Sequence, residues 1–244
     1  DMAAITRSRI AVLPAPTCQA AGFSLVELAV VMFIIALLIG GMVMPLSAQQ
    51  DVRARQETDK LLTDIREALY GFAAVNGRLP RPANSASDGN ERALCNTDAD
   101  CSGFVPWAAL GLPRADGWSK LIRYSVTPAF ANAAVTIATI PNRTVQSRDD
   151  AGTLFYLVGA AACTTASGCA PAVVFSQGKS NWGTSDNGSA LADSSGTNVD
   201  EDTNNTGPLG FINRFGAQNP GTIGGEFDDQ VLWISSNTLF NRLI

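Results

Sequence analysis

Residues 29–46 read AVVMFIIALLIGGMVMPL, apolar on every face of a helical repeat and without one charged side chain. That pattern predicts a helix suited to lipid or to neighbouring helices on all sides. From residue 47 the pattern changes, and Val52, Leu61, Leu62, Ile65, Leu69, Phe72 and Ala73 recur at mostly helical spacing among Asp, Glu, Lys and Arg. This is an amphipathic continuation. Asn76-Gly77, reinforced by Pro80 and Pro82, predicts where the helix stops. Gly40-Gly41 and Pro45 weaken the join, since proline removes a backbone donor and clashes with the preceding turn, so a kink or local melting is expected there. At 1.5 Å per residue a helix over 23–76 reaches about 80 Å, against roughly 30 Å for a hydrocarbon core. The excess has to pack on the C-terminal part of the chain.

That C-terminal part alternates short apolar runs with turn signals. Runs at 121–127, 134–140, 153–159, 172–176 and 230–235 are bounded by Pro, Gly, Asn or Asp and predict strands. A helical turn is expected at 106–110, and a capped terminal helix at 237–244, with Leu239, Phe240, Leu243 and Ile244 pointing inward. Residues 178–229 are rich in Gly, Ser, Asn, Asp and Thr, and no regular element is expected in them. One long helix and then short-connected strands is α+β, an antiparallel sheet packed against the helix.

Charge adds one anomaly. Glu27 stands at the entrance to the apolar segment, where a carboxylate costs a few kcal/mol on insertion scales and calls for a functional reason. Small Gly22 precedes the apolar run, whereas a secretory signal has its small-residue cut site after it. Cleavage here would keep the helix on the mature chain. Arg7 and Arg9 lie on the other side of the cut, as the positive-inside rule prefers. The net charge of −5 offers no basic footprint for nucleic acid.

The segment Gly22-Phe23-Ser24-Leu25-Val26-Glu27-Leu28 with the apolar run to Leu46 resembles the prepilin N-terminus of type IV pilins and of the pseudopilins of type II secretion systems. The resemblance implies a leader at 1–22, cleavage between Gly22 and Phe23 by prepilin peptidase, and N-methylation of Phe23. It implies a helix over 23–76, transmembrane at about 24–46, and a head at 77–244. Glu27 is then the assembly residue, its carboxylate neutralised by a neighbour's terminal amine. The implied protein sits in the inner membrane as a single-pass subunit with its head in the periplasm. Its partners are other pilin or pseudopilin subunits, prepilin peptidase, the inner-membrane assembly platform and the lipid bilayer. An elaborated head suits a minor pseudopilin of a type II secretion system; the alternative is a minor type IV pilin whose head serves adhesion or DNA uptake.

The five cysteines point to the same compartment. Cys18 lies in the leader, and Cys95 with Cys101 and Cys163 with Cys169 repeat one local spacing. Three pairings of those four are possible, and the matched spacing favours the two local disulfides, as suits an oxidising periplasm. A zinc site is the rival, but this spacing exceeds C-x2-4-C and the chain has no histidine. Without histidine the usual general base is missing too, and no phosphate-loop pattern occurs, so no enzyme activity is expected. Asp200, Asp202 and Asn204 present oxygen atoms at alternate positions like the start of a calcium loop, and Glu226, Asp228 and Asp229 could add to them. Asn205 stands where the loop glycine belongs, and no glutamate closes the loop. Major pseudopilins carry a calcium loop in this region; a solvated acidic loop without cofactor is the competing reading.

Overall fold

The computed structural model describes residue 22 and residues 24–243, apart from the side chains of 40–46. The leader, Phe23, Cys18 and Ile244 therefore lie outside the described residues. The chain forms two compact units, Asp1–Ala48 and Gln49–Ile244.

In the first unit the described structure is the start of α1 (Leu25–Asn76). Its apolar side chains from Leu25 to Ile39 all face outward, Leu25 being 87% and Ile39 60% exposed. The helix continues through Gly40, Gly41 and Pro45, so the expected local melting does not occur. One lost hydrogen bond is tolerated where the flanking turns keep theirs. Among the described residues no helix is long and apolar enough to cross a membrane.

The second unit begins with the rest of α1. Ile65, Leu69 and Ala73 recur every four residues and are fully buried, flanked by Leu61, Leu62 and Tyr70. Burying each large apolar side chain contributes roughly 1.5–3 kcal/mol, so this stripe anchors the helix. Val52 lies outside it and is 55% exposed. Gly77 ends the helix with φ +68°, its N–H donating to the Ala73 carbonyl at 2.8 Å. Left-handed backbone at this position is what glycine supplies without steric cost.

After α1 come β1 (Ser102–Phe104), α2 (Trp107–Leu110), β2 (Arg123–Val126), α3 (Pro128–Asn132), β3 (Thr144–Arg148) and β4 (Leu154–Val158). The remainder is β5 (Ala172–Ser176), β6 (Gly183–Thr184), β7 (Ala190–Leu191), α4 (Val199–Thr206), β8 (Gly210–Ile212), β9 (Gln230–Trp233) and α5 (Ser236–Leu243). The main sheet is antiparallel in the order β1-β2-β5-β9. Ala172 and Val174 of β5 face the helix stripe, whereas Val173 and Phe175 pack with Val145, Phe211 and Val231 in a second core. All five β5 residues are buried, which is why this strand reads as a continuous apolar run rather than an alternating one. A second sheet, β4-β3-β8, contributes to that second core, and its β3–β8 pair is parallel, a departure from a wholly antiparallel head.

Two further expectations are corrected. Residues 134–140 form no strand. Thr136 and Thr139 close a turn, with the Thr136 N–H on Thr139 Oγ1 at 3.0 Å and the Thr139 N–H on the Thr136 carbonyl at 2.9 Å. Hydroxyls that satisfy the backbone locally compete with a ladder, and the strand starts only after Pro141. The second correction concerns 178–229, which holds β6, β7, α4 and β8. Its order comes from side-chain hydrogen bonds and buried ion pairs, which leave no apolar periodicity to read. In the tail helix Leu239 is buried and Phe240 and Leu243 pack partly against the first core.

Two disulfides join Cys95 to Cys101 and Cys163 to Cys169. Cys95 and Cys101 belong to the first core. Their loop is held by fully buried Arg143, which donates to Asp98 Oδ1 at 2.7 Å and Ser125 Oγ at 2.8 Å.

Candidate functional site

Gly22, Ser24 and Glu27 open α1. The Ser24 N–H donates to Glu27 Oε2 at 2.9 Å, and the Glu27 N–H donates to Ser24 Oγ at 3.2 Å. This reciprocal pair is a capping box, which satisfies two donors that a helix start would leave unpaired. Glu27 is exposed, and the side chains after it are apolar and exposed as well. The first turn thus combines a fixed carboxylate with an apolar surface left exposed among the described residues. Phe23, the residue expected to carry the new N-terminus, lies outside the described residues.

A second concentration of chemistry lies in the head. Of the residues expected to form a calcium loop, Asp200 is 1% exposed and both its oxygens are taken. Arg148 donates through Nε and Nη2, the shortest contact 2.7 Å, and Arg214 donates through Nε at 2.7 Å. Asp202 Oδ1 accepts the Trp182 indole N–H at 2.7 Å, and Glu226 accepts the hydroxyl of Ser195. Asn204 accepts the Ile212 N–H at 2.6 Å and donates to Asp229 Oδ2 at 2.7 Å.

The carboxylates brought together are Glu201, Asp228 and Asp229, with an oxygen of each within 4.8 Å of the others. Glu201 Oε1 also accepts the Asp228 N–H at 2.8 Å. Alternate spacing selected Asp200, Asp202 and Asn204, but α4 is helical, and its buried residues are Asp200, Glu201 and Asn204. A helical rather than an extended reading of 199–206 is the signal that would have found Glu201.

Burial pushes the Asp229 carboxyl well above the ordinary range, and the neighbouring Glu201 and Asp228 charges add to that rise. Glu201 and Asp228 are also raised, first by burial. Lys120, which the sequence did not single out, sits beside them. Its ammonium donates to the carbonyls of Gln177 (3.2 Å), Ser180 (2.8 Å) and Trp182 (2.8 Å). Burial lowers its pKa, and Asp228, Asp116, Asp229 and Glu201 oppose that shift. The three carboxylates are hard oxygen donors of the kind calcium takes. The Lys120 ammonium already supplies one positive charge to this group.

A cleft of about 1010 Å³ opens beside this cluster, lined among others by Arg55, Trp118, Lys179, Phe215 and Glu226. Phe215 is 97% exposed.

The profile of the prokaryotic N-terminal methylation motif matches residues 18–43. The chain carries the prepilin signature of type IV pilins and pseudopilins. No curated protein and no solved structure matches the chain. The prepilin-type motif covers Gly22, Ser24 and Glu27, so the capped first turn of α1 falls within the matched segment. The motif supports a pilin-like subunit of the kind that prepilin peptidase processes.

Proposed function

We propose that this prepilin-type protein is a minor pseudopilin of a type II secretion system. It is cut between Gly22 and Phe23, methylated at Phe23, and held in the inner membrane by the apolar half of α1 with its head in the periplasm. The observation that carries this reading is the methylation motif lying on a helix whose first turn fixes Glu27 and whose next side chains are apolar and exposed. Such a surface suits lipid before assembly and neighbouring helices after it. In the assembled state the Glu27 carboxylate pairs with the Phe23 amine of a neighbour, and a buried pair of this kind sets register more than it adds stability.

Mass spectrometry of the membrane-extracted protein tests the processing: the chain should begin at N-methyl-Phe23, and recovery of the intact leader beside an active peptidase would refute it. In a deletion strain the reading expects loss of exoprotein secretion with piliation intact. The head cleft with exposed Phe215 favours a second reading, a minor type IV pilin whose head binds a ligand on a surface fibre. Loss of piliation or of fibre-dependent binding in the same strain, with secretion intact, would select that one.

A further inference from the structure

The guanidinium of Arg123 is a cation that the head leaves uncompensated. Arg123 of β2 stands opposite Phe104 of β1 and Phe175 of β5, so the three side chains share the sheet face that carries the second core. The guanidinium lies over the Phe104 ring, with Cζ 5.3 Å from the ring centroid. Among the described residues it forms no ion pair and no side-chain hydrogen bond, and its Nε is sealed from solvent without an acceptor. Burial alone lowers its pKa, with no carboxylate near enough to oppose the shift. Charge removed from water is normally paired, because an apolar surrounding does not replace the lost hydration. The Phe104 ring attracts the cation through its face but accepts none of the in-plane N–H groups.

Arg123 lines a pocket of about 180 Å³ between this sheet face and the α4–β8 connection. Buried Phe175 and Phe211 belong to its wall, and exposed Ala99 and Thr206 stand at its mouth. Asn205 lines it too. Gln177 Nε2 donates to Asn205 Oδ1 at 3.0 Å, which leaves the Asn205 amide hydrogens without a partner. Among the described residues Arg123 is the one charged side chain in the lining, so the pocket offers one positive charge, a neutral donor and apolar walls. The C-terminal end of α4 reaches the pocket at Asn205 and Thr206, but a helix end carries only about half an elementary charge.

We propose that this pocket binds a monoanionic carboxylate with a small apolar body, held by Arg123 and Asn205. The planar guanidinium fork matches the two oxygens of a carboxylate, and Phe175 and Phe211 give the body an apolar wall. Charge selects the monoanion. One guanidinium balances one carboxylate, whereas a phosphate dianion would bring a second negative charge toward the carbonyl end of α4. Size limits the body, since a cavity of about 150 Å³ takes benzene and this one is only slightly larger. A free organic acid and the C-terminus of a peptide both present this chemistry. The pocket lies wholly within the head, so the inference is independent of which filament the subunit joins.

Saturation-transfer NMR on the full chain in a non-ionic detergent tests the site, with benzoate as probe and benzamide as its neutral counterpart. Benzoate should bind with a Kd on the order of 1 mM, and benzamide at least about tenfold more weakly. Arg123→Met removes the charge and keeps the stem, and should weaken benzoate at least about tenfold. Arg123→Lys keeps the charge but loses the fork, and should weaken it at least about threefold. Acetyl-Gly-Gly-Phe and its C-terminal amide separate the two sources. If the peptide acid, but not the amide, displaces benzoate at concentrations below the benzoate Kd, the pocket takes a peptide C-terminus; if it does not, the ligand is a free organic acid. Three results overturn the proposal: benzoate bound no tighter than benzamide, benzoate binding unchanged in both Arg123 variants, or inorganic phosphate bound in place of benzoate.

Discussion

Replacing Asp200 by alanine removes the acceptor shared by Arg148 and Arg214, and thereby the junction of β3, α4 and the segment that holds Gly224. Asp200 is 1% exposed, whereas the Arg148 and Arg214 side chains are 18% and 7% exposed. Removing one member of a buried ion pair costs about 3–5 kcal/mol, because the charge left behind is neither paired nor hydrated. Arg148 keeps some access to water and a hydrogen bond to the Gly152 carbonyl, so the lower end, about 3 kcal/mol, is expected. With a urea slope of about 1–3 kcal/mol per molar, the unfolding midpoint of the full chain in detergent should fall by about 1–3 M. The same assay run with and without calcium decides what Asp200 is for. If Asp200 is an arginine acceptor, calcium should change the gap between wild type and variant very little. A variant within about 1 kcal/mol of wild type, or a gap that opens only when calcium is present, would refute the ion-pair account.

Three further outcomes are expected. Cys95→Ser/Cys101→Ser should lower head stability by about 2 kcal/mol in urea unfolding, and by more than Cys163→Ser/Cys169→Ser, because Cys95 and Cys101 are both core residues. Since burial raises the carboxyl pKa of Asp229, the folded state holds a proton that the unfolded state has released. Stability should therefore fall as pH rises from the ordinary carboxylate range through the folded-state pKa, and increase on acidification from pH 7 toward about 5; Asp229→Asn should flatten that slope, and an unchanged slope would count against it. Glu27→Leu should still be cleaved and inserted but be recovered poorly in crosslinked filament, whereas wild-type incorporation would rule out the carboxylate–amine pairing.

Legibility followed the kind of interaction that orders each element. The Leu61 to Ala73 stripe, the stop at Gly77 and the runs that became β4, β5 and β9 were readable because apolar burial leaves a period in the sequence. The Ser24–Glu27 capping box, three residues apart, was not read from the sequence, where Glu27 stood only as an assembly residue. Residues 178–229 were not readable in that way. Their helix is fixed by Asp200 against two arginines, by Asn204 bridging Ile212 and Asp229, and by Asn198 donating to Glu201 at 3.0 Å. Partners so far apart in the chain leave no local pattern. Lys120 escaped notice for the same reason, since its carbonyl partners lie about sixty residues downstream.

The contact of α1 with the loop before β2 has a mechanical consequence. A Cβ on Gly117 would meet the Ala54 carbonyl oxygen at 2.4 Å, so the loop backbone rests directly on the helix. Thr58 Oγ1 donates to that carbonyl at 2.8 Å and accepts the Gly117 N–H at 3.0 Å, tying the two sides together. The notch behaves as an index pin. A screw motion of the helix by one residue either way, about 1.5 Å and 100°, would present the long side chain of Arg53 or Arg55 where only alanine fits. Sliding and spinning are therefore blocked together, and an axial push or twist on this part of α1 reaches the main sheet without slack.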